Sequence, residues 1–236
     1  MENAYNDFLI CYYALDKTEE YFFYKILKLI IDYPIRWFNF LENILKNKLM
    51  VSFQNMAMII SIELIPPQQQ KYFDYVYKIM IESGVIFNSI KKKGFLILYL
   101  YSKRICDFLE HSGFWLEYLT SYACFEIGYN SYRGVLLKTS DKTIQEIDVL
   151  IDLDTLVFLI ECKDTCNFGI DELKKIDNLR KKISMYSIAI LVCSKSVPNL
   201  NYDKYEINVI NYKYNYFIFR NELKELIIKK LLSLSF

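Results

Sequence analysis

Three residues stand out for their chemistry. Asp148 is followed, after twelve intervening residues, by Glu161, Cys162 and Lys163. The run Val157-Phe158-Leu159-Ile160 is apolar and ends at that triplet, as a strand buried over most of its length would. Strand side chains alternate between faces, so Glu161 and Lys163 share a face and Cys162 points away. The segment from Asp152 to Thr155 is short enough to close a hairpin, which sets Asp148 on the neighbouring strand beside Glu161. Two adjacent carboxylates repel each other, and a divalent cation relieves that repulsion. Oxygen donors without histidine suit Mg²⁺ or Mn²⁺. An ammonium close by can hold a water and stabilise charge developing on a phosphate. These residue types at this spacing point to metal-assisted hydrolysis of a phosphodiester.

The pattern D-x(12)-E-x-K resembles the active-site core of the PD-(D/E)xK nuclease superfamily, the restriction-endonuclease-like fold. That resemblance implies that Asp148 and Glu161 bind metal and that Lys163 assists the water. Further segments are similar to the nuclease domain of the Card1/Can2-like CRISPR-associated family. Gly113-Phe114-Trp115-Leu116-Glu117 resembles the helix that opens that domain, Gln145-Glu146-Ile147-Asp148 its "N-E-(I/L)-D" segment, and Ile160-Glu161-Cys162-Lys163 its "I-E-C-K" strand. The likeness covers roughly residues 105 to 210 and implies that Glu117 joins the metal site. Members of that family carry a Rossmann-like sensor for cyclic oligoadenylate. Here the stretch before residue 50 reads as helical without a glycine-rich turn, and it is expected to be too short for such a sensor.

The elements that must hold these residues follow from periodicity. Residues 4–48 read as helical, with Phe22, Ile26, Leu29 and Ile30 at steps of three and four, and a break at Asp32-Tyr33-Pro34. Phe53 to Leu64 reads as a short apolar helix. Gln68 to Ser83 reads as another, with Pro67 in its first turn and Gly84 as its C-cap. Val85 to Ile90 and Phe95 to Tyr101 read as a hairpin around Lys91-Lys92-Lys93-Gly94. Two helices and a hairpin in that order predict a winged-helix module. From Phe114 the order becomes helix, three strands, helix, strand, strand, helix, a mixed α/β layout around one sheet. The expected domains are a helical segment over 1–50, a winged-helix domain over 51–110 and a nuclease domain over 111–236.

Composition narrows the function classes. The 236 residues are 53% hydrophobic and 24% charged, with a formal net charge of +1. That excludes intrinsic disorder, and any affinity for nucleic acid must come from a local patch. Candidates are Lys174, Lys175, Arg180, Lys181 and Lys182, on or at the end of a charged helix, and Lys91 to Lys93 in the hairpin turn. The 21 Tyr and 17 Phe reflect a compositional bias, so stray aromatics are weak signs of base stacking. His111 is the only histidine, which argues against zinc and against histidine general-base chemistry. Cys11, Cys106, Cys124, Cys162, Cys166 and Cys193 are scattered, as expected of reduced thiols in a cytoplasmic protein. The apolar runs are too short to span a bilayer, and no signal peptide is evident.

The expectation is therefore a cytoplasmic, Mg²⁺- or Mn²⁺-dependent endonuclease acting on DNA, with RNA as a further substrate, in defence against mobile elements. It would work as a homodimer or with a partner protein. Two other classes are compatible with the sequence. One is a winged-helix DNA-binding protein whose nuclease-like domain is inactive. The other is an assembly protein whose aromatic, helical first 50 residues dock a partner.

Overall fold

The computed structural model describes residues 17–111, 113–138, 144–153, 156–164, 168–184, 186–195 and 197–233. The chain divides into two compact units, Leu15–Trp115 and a second one built on Leu116–Phe236.

The first unit opens with helices α1 (Lys17–Asp32) and α2 (Pro34–Asn47). Pro34 separates them and sits in the first turn of α2, where its missing N–H costs nothing. A hairpin of β1 (Lys48–Ser52) and β2 (Ala57–Ser61) follows, then α3 (Pro67–Glu82), a second hairpin of β3 (Ile86–Lys92) and β4 (Phe95–Leu100), and α4 (Lys103–Glu110). The four strands form an antiparallel sheet in the order β1-β2-β4-β3. Gly84 (φ +79°) follows α3 and Gly94 (φ +78°) turns the second hairpin, in conformations that disfavour other residues. Trp37, Phe40, Phe73 and Phe108 are fully buried, with ring centroids 5.0 to 6.0 Å apart. They join α2, α3 and α4.

The helix expected over Phe53 to Leu64 is absent. Residues 53–56 make a turn in which Met56 takes a left-handed φ of 50°, and residues 57–61 form β2. An apolar run this short does not distinguish strand from helix by periodicity, and pairing with β1 and β4 decides for the strand. The helix, helix, hairpin order expected for a winged helix therefore becomes helix, hairpin, helix, hairpin.

The second unit is organised by one mixed sheet. Helix α5 (Phe114–Glu126) leads into β5 (Tyr132–Lys138), β6 (Ile144–Asp152) and β7 (Val157–Lys163). Then come α6 (Ile170–Ile183), β8 (Ser187–Cys193), a single 3-10 turn at Asp203–Tyr205, β9 (Ile207–Asn211) and α7 (Tyr216–Ser233). The strand order is β5-β6-β7-β8-β9. The first three strands are mutually antiparallel, and β7, β8 and β9 run parallel. The parallel step needs a crossover, which α6 supplies. β7 is the central strand and β8 is almost fully buried, as their apolar runs require. The expected mixed α/β class is what the chain adopts.

Candidate active site

Placement of the site begins with β7. Its residues 157–160 are buried, and the burial relaxes at Glu161 and Lys163. The Lys163 Nζ donates to Glu161 Oε1 at 2.5 Å, and both side chains are about three-quarters buried. They lie on one face of the strand, as alternation requires. Between them, the Cys162 thiol reaches Thr120 Oγ1 of α5 at 3.6 Å.

The β6–β7 ladder runs from Asp152 opposite Val157 to Val149 opposite Ile160. It stops one step short of setting Asp148 opposite Glu161. At that point the Cys162 backbone N–H donates instead to the Asp148 carboxylate, at 2.7 Å. On the other side of β6, the β5 register passes from Arg133 opposite Val149 to Val135 opposite Ile147. Gly134 lies between them with φ +56°. Asp148 thus sits just past the end of the β6–β7 ladder, while the β5–β6 register stays in step on either side of it. The hairpin relationship expected between Asp148 and Glu161 is present, and the aspartate is fixed by a backbone donor of β7.

Glu117 occupies the first turn of α5 and is half-buried. Burial, then the charges of Asp148 and Glu146, push its carboxyl up to about 8, with Glu161 adding to this and Arg133 opposing it. Burial and then Glu161 push Asp148 up to about 7, against the Cys162 N–H and Lys163. For Lys163, burial pulls downward, but Glu161 and Asp148 outweigh it and raise the ammonium above its ordinary range. The pocket is therefore short of positive charge. Three carboxylates act on one another, and the ammonium among them already bonds one.

That imbalance is the test of whether a divalent cation fits. The donors are carboxylate oxygens, the kind that Mg²⁺ and Mn²⁺ prefer. Among the described residues, no three His, Cys, Asp or Glu side chains stand gathered as a ready-made metal cage. Mg²⁺ commonly keeps several waters and takes only one or two protein carboxylates. The donor set fits such an ion.

Some contributors were not evident from the sequence. Glu146 is exposed, as a solvated residue should be, yet its charge raises both Glu117 and Asp148. Its alternation with Asp148 was the available signal. Thr120 and Arg133 carried none, because their roles depend on how α5 and β5 meet the β6–β7 pair. Asp164 accepts a short hydrogen bond from the Ser194 hydroxyl after β8. Asp152 closes the far, exposed end of β6.

The structure does not gather the five basic residues of α6 into one patch. Lys174, Lys175, Lys181 and Lys182 are exposed, with Lys174 paired to Asp171 at 3.0 Å and Lys181 to Asp177 at 2.6 Å. Arg180 is 9% exposed and clamped between Asp177 at 3.0 Å and Glu206 at 2.6 Å. It ties α6 to the turn before β9 instead of facing solvent. In the first unit, Lys91 to Lys93 are exposed at the β3–β4 turn. Cys106, Cys124, Cys162 and Cys193 are buried free thiols, while Cys11 and Cys166 lie outside the described residues. No helix among the described residues is long and apolar enough to cross a membrane.

No protein-family model matches the sequence, and no curated protein matches it. Solved structures do. Protein VC1899 from Vibrio cholerae is similar over 95% of this chain and 60% of its own, with a TM-score of 0.67 and 13% identity. Can2 from Sulfobacillus thermosulfidooxidans, solved with cyclic tetra-adenylate, is similar over 94% of this chain and 57% of its own, with a TM-score of 0.49 and 14% identity. The chain thus spans about 60% of the length of the Vibrio protein, and the likeness is one of fold.

Proposed function

We propose that the chain is a metal-dependent endonuclease that hydrolyses phosphodiester bonds of DNA, with RNA as a further substrate. The observation that carries this reading is the pairing of two protonation-prone carboxylates, Glu117 and Asp148, with the Glu161–Lys163 pair at the open end of a buried strand. Asp148, Glu161 and Glu117 would hold Mg²⁺ or Mn²⁺, one or two of them directly and the rest through the ion's waters. When bound, such an ion neutralises phosphate charge and acidifies water. The chain's own residues do the rest. Cys162 N–H fixes Asp148. The Glu161 carboxylate orients Lys163, whose raised affinity for its proton makes it a cation toward phosphate and not a base. The α-β-β-β-α-β order around the mixed sheet is the layout expected of a restriction-endonuclease-like domain, and it supports the same reading. The sequence resemblance to CRISPR-associated nucleases supports a role for this activity in defence against mobile elements. A homodimer would bring two sites to the two strands of a duplex.

The test is cleavage of labelled single- and double-stranded DNA and RNA with Mn²⁺, Mg²⁺ or EDTA, comparing the native chain with Glu161→Ala and Lys163→Ala. Metal-dependent cutting lost in both variants is the expected result. A second reading is a nucleic-acid-binding protein that does not cut. It draws on the lack of a ready-made three-ligand cage among the described residues. It predicts binding that both variants keep, without cleavage on any substrate. In that case the exposed lysines of the β3–β4 turn are the first residues to change.

A further inference from the structure

A polyanion approaching Glu117, Asp148 and Glu161 meets a negative pocket, and Lys163 is already bonded to Glu161. A second cationic group is needed to share the phosphate with Lys163. Arg133 is placed to do so. Its backbone lies opposite Val149, the residue after Asp148, in the β5–β6 ladder. Its guanidinium carbon lies 3.5 Å from the ring centroid of Tyr118, the residue after Glu117. Arg133 is therefore bracketed by the chain neighbours of two of the site's three carboxylates. It is half-buried and forms no salt bridge with a described carboxylate. Gly134 beside it has φ +56°, and a Cβ there would lie 3.8 Å from Glu146 Oε1. The strand thus turns in the left-handed region right where Arg133 leaves it.

The chemistry suits the position. A guanidinium presents several N–H donors in one plane and grips phosphate oxygens two at a time. Stacking on Tyr118 uses the face of that plane and leaves its edge for a ligand. The ring also limits the rotamers that a long side chain must lose on binding.

We propose that Arg133, held flat on Tyr118, is the residue that binds a backbone phosphate of the nucleic acid at this site. The inference rests on the nuclease reading for its substrate class, but binding can be measured apart from cleavage.

The experiment measures fluorescence anisotropy of a labelled oligonucleotide, with Ca²⁺ in place of Mg²⁺ or Mn²⁺, across a range of salt. The native chain is compared with Arg133→Ala, Arg133→Lys and Tyr118→Leu. A lost charge-assisted phosphate contact should weaken binding about tenfold in Arg133→Ala. The loss should be the same for unrelated sequences, and the log–log salt slope should fall by about one. Arg133→Lys should recover part of the affinity, and Tyr118→Leu, which removes the ring under Arg133, should weaken binding in the same direction by less. Steady-state cleavage should show a raised KM with kcat less affected. Unchanged binding and salt slope in Arg133→Ala overturn the proposal. So does a defect seen only as a shifted metal requirement, which would mean that Arg133 serves Glu117 alone. If Arg133→Ala does not fold, Arg133→Gln, which removes the charge and keeps most of the stem, decides by the same salt slope. A native chain that binds through Arg133 yet cuts nothing would overturn the nuclease reading and leave this one standing.

Discussion

The carboxylate of Asp148 on β6 accepts a 2.7 Å hydrogen bond from the backbone N–H of Cys162, the residue between Glu161 and Lys163 on β7. One ladder bond is exchanged for a side-chain bond, and the exchange fixes an acid at the open end of an otherwise apolar strand pair. The N–H favours the ionised form of Asp148, while burial and Glu161 disfavour it more strongly. The position of the acid is thus settled before its charge is.

That imbalance sets a pH dependence. Glu117 and Asp148 titrate near 8 and 7 in the folded chain, against about 4 when unfolded. The folded state then binds more protons than the unfolded one between those values. Stability is full below about pH 4 as far as these groups are concerned, and is lost as pH rises toward 7 to 8. Without metal, the melting temperature should fall by several degrees between pH 5.5 and 8, and by less in Glu117→Gln. Mg²⁺ or Mn²⁺ should restore it, with an affinity that rises across the same window as protons are displaced. Differential scanning fluorimetry over pH, with and without metal, reads both. A flat metal-free profile would count against the placement of these acids.

Asp148→Asn separates position from charge. Asparagine can still accept the Cys162 N–H through its side-chain oxygen, so the strand pair should stay intact. Metal-free stability at pH 8 should be equal or higher, because one buried charge is gone. Cleavage should drop at least about a hundredfold, the scale of losing one well-placed electrostatic group. Parallel melting curves and cleavage rates test this, and an unfolded variant would mean that the charge itself holds the strands.

The sequence made β6, β7, α6 and β8 legible because their patterns are long or strongly apolar. Ser187 to Cys193, an unbroken run of small and apolar residues, forms β8. Glu161 and Lys163 were legible for the same reason, since a charged pair closing an apolar strand has few places to go. The β1–β2 hairpin was not, because residues 53–64 are apolar without a decisive period and the partner strand β4 lies over thirty residues away. The role of Arg180 was equally hidden. A run of Lys and Arg reads as a solvated face, and only the fold brings Glu206 to it.

Arg180 therefore predicts a structural effect where its neighbours predict none. Arg180→Ala leaves Asp177, a 6%-exposed carboxylate, with one fewer partner. It should cost about 1.5 kcal/mol, the scale of one charge-assisted hydrogen bond, because Lys181 still pairs with Asp177. Lys182→Ala, at an exposed position, should leave stability within about 0.5 kcal/mol. Chemical denaturation of the two variants distinguishes a clamp from a surface patch. Equal stabilities would show that the Asp177–Arg180–Glu206 network contributes nothing.

The thiols give a further test, independent of any activity. Burial pushes Cys106 up to about 11 and Cys124 and Cys193 up to about 12, and raises Cys162 well above its ordinary range. The thiolate is the form that reacts, and at pH 8 it is scarce at all four. Iodoacetamide should leave these four cysteines unlabelled in the native chain and label them once the chain is unfolded in urea, as peptide mass mapping would read. Cys162→Ala should follow the same logic at the site. The backbone N–H that holds Asp148 survives the substitution, and only the contact with Thr120 is lost. Cleavage should stay within about threefold of native while stability falls by about 1 kcal/mol, the cost of a small buried group. A large loss of cleavage would instead give the Cys162 side chain a direct part in the site.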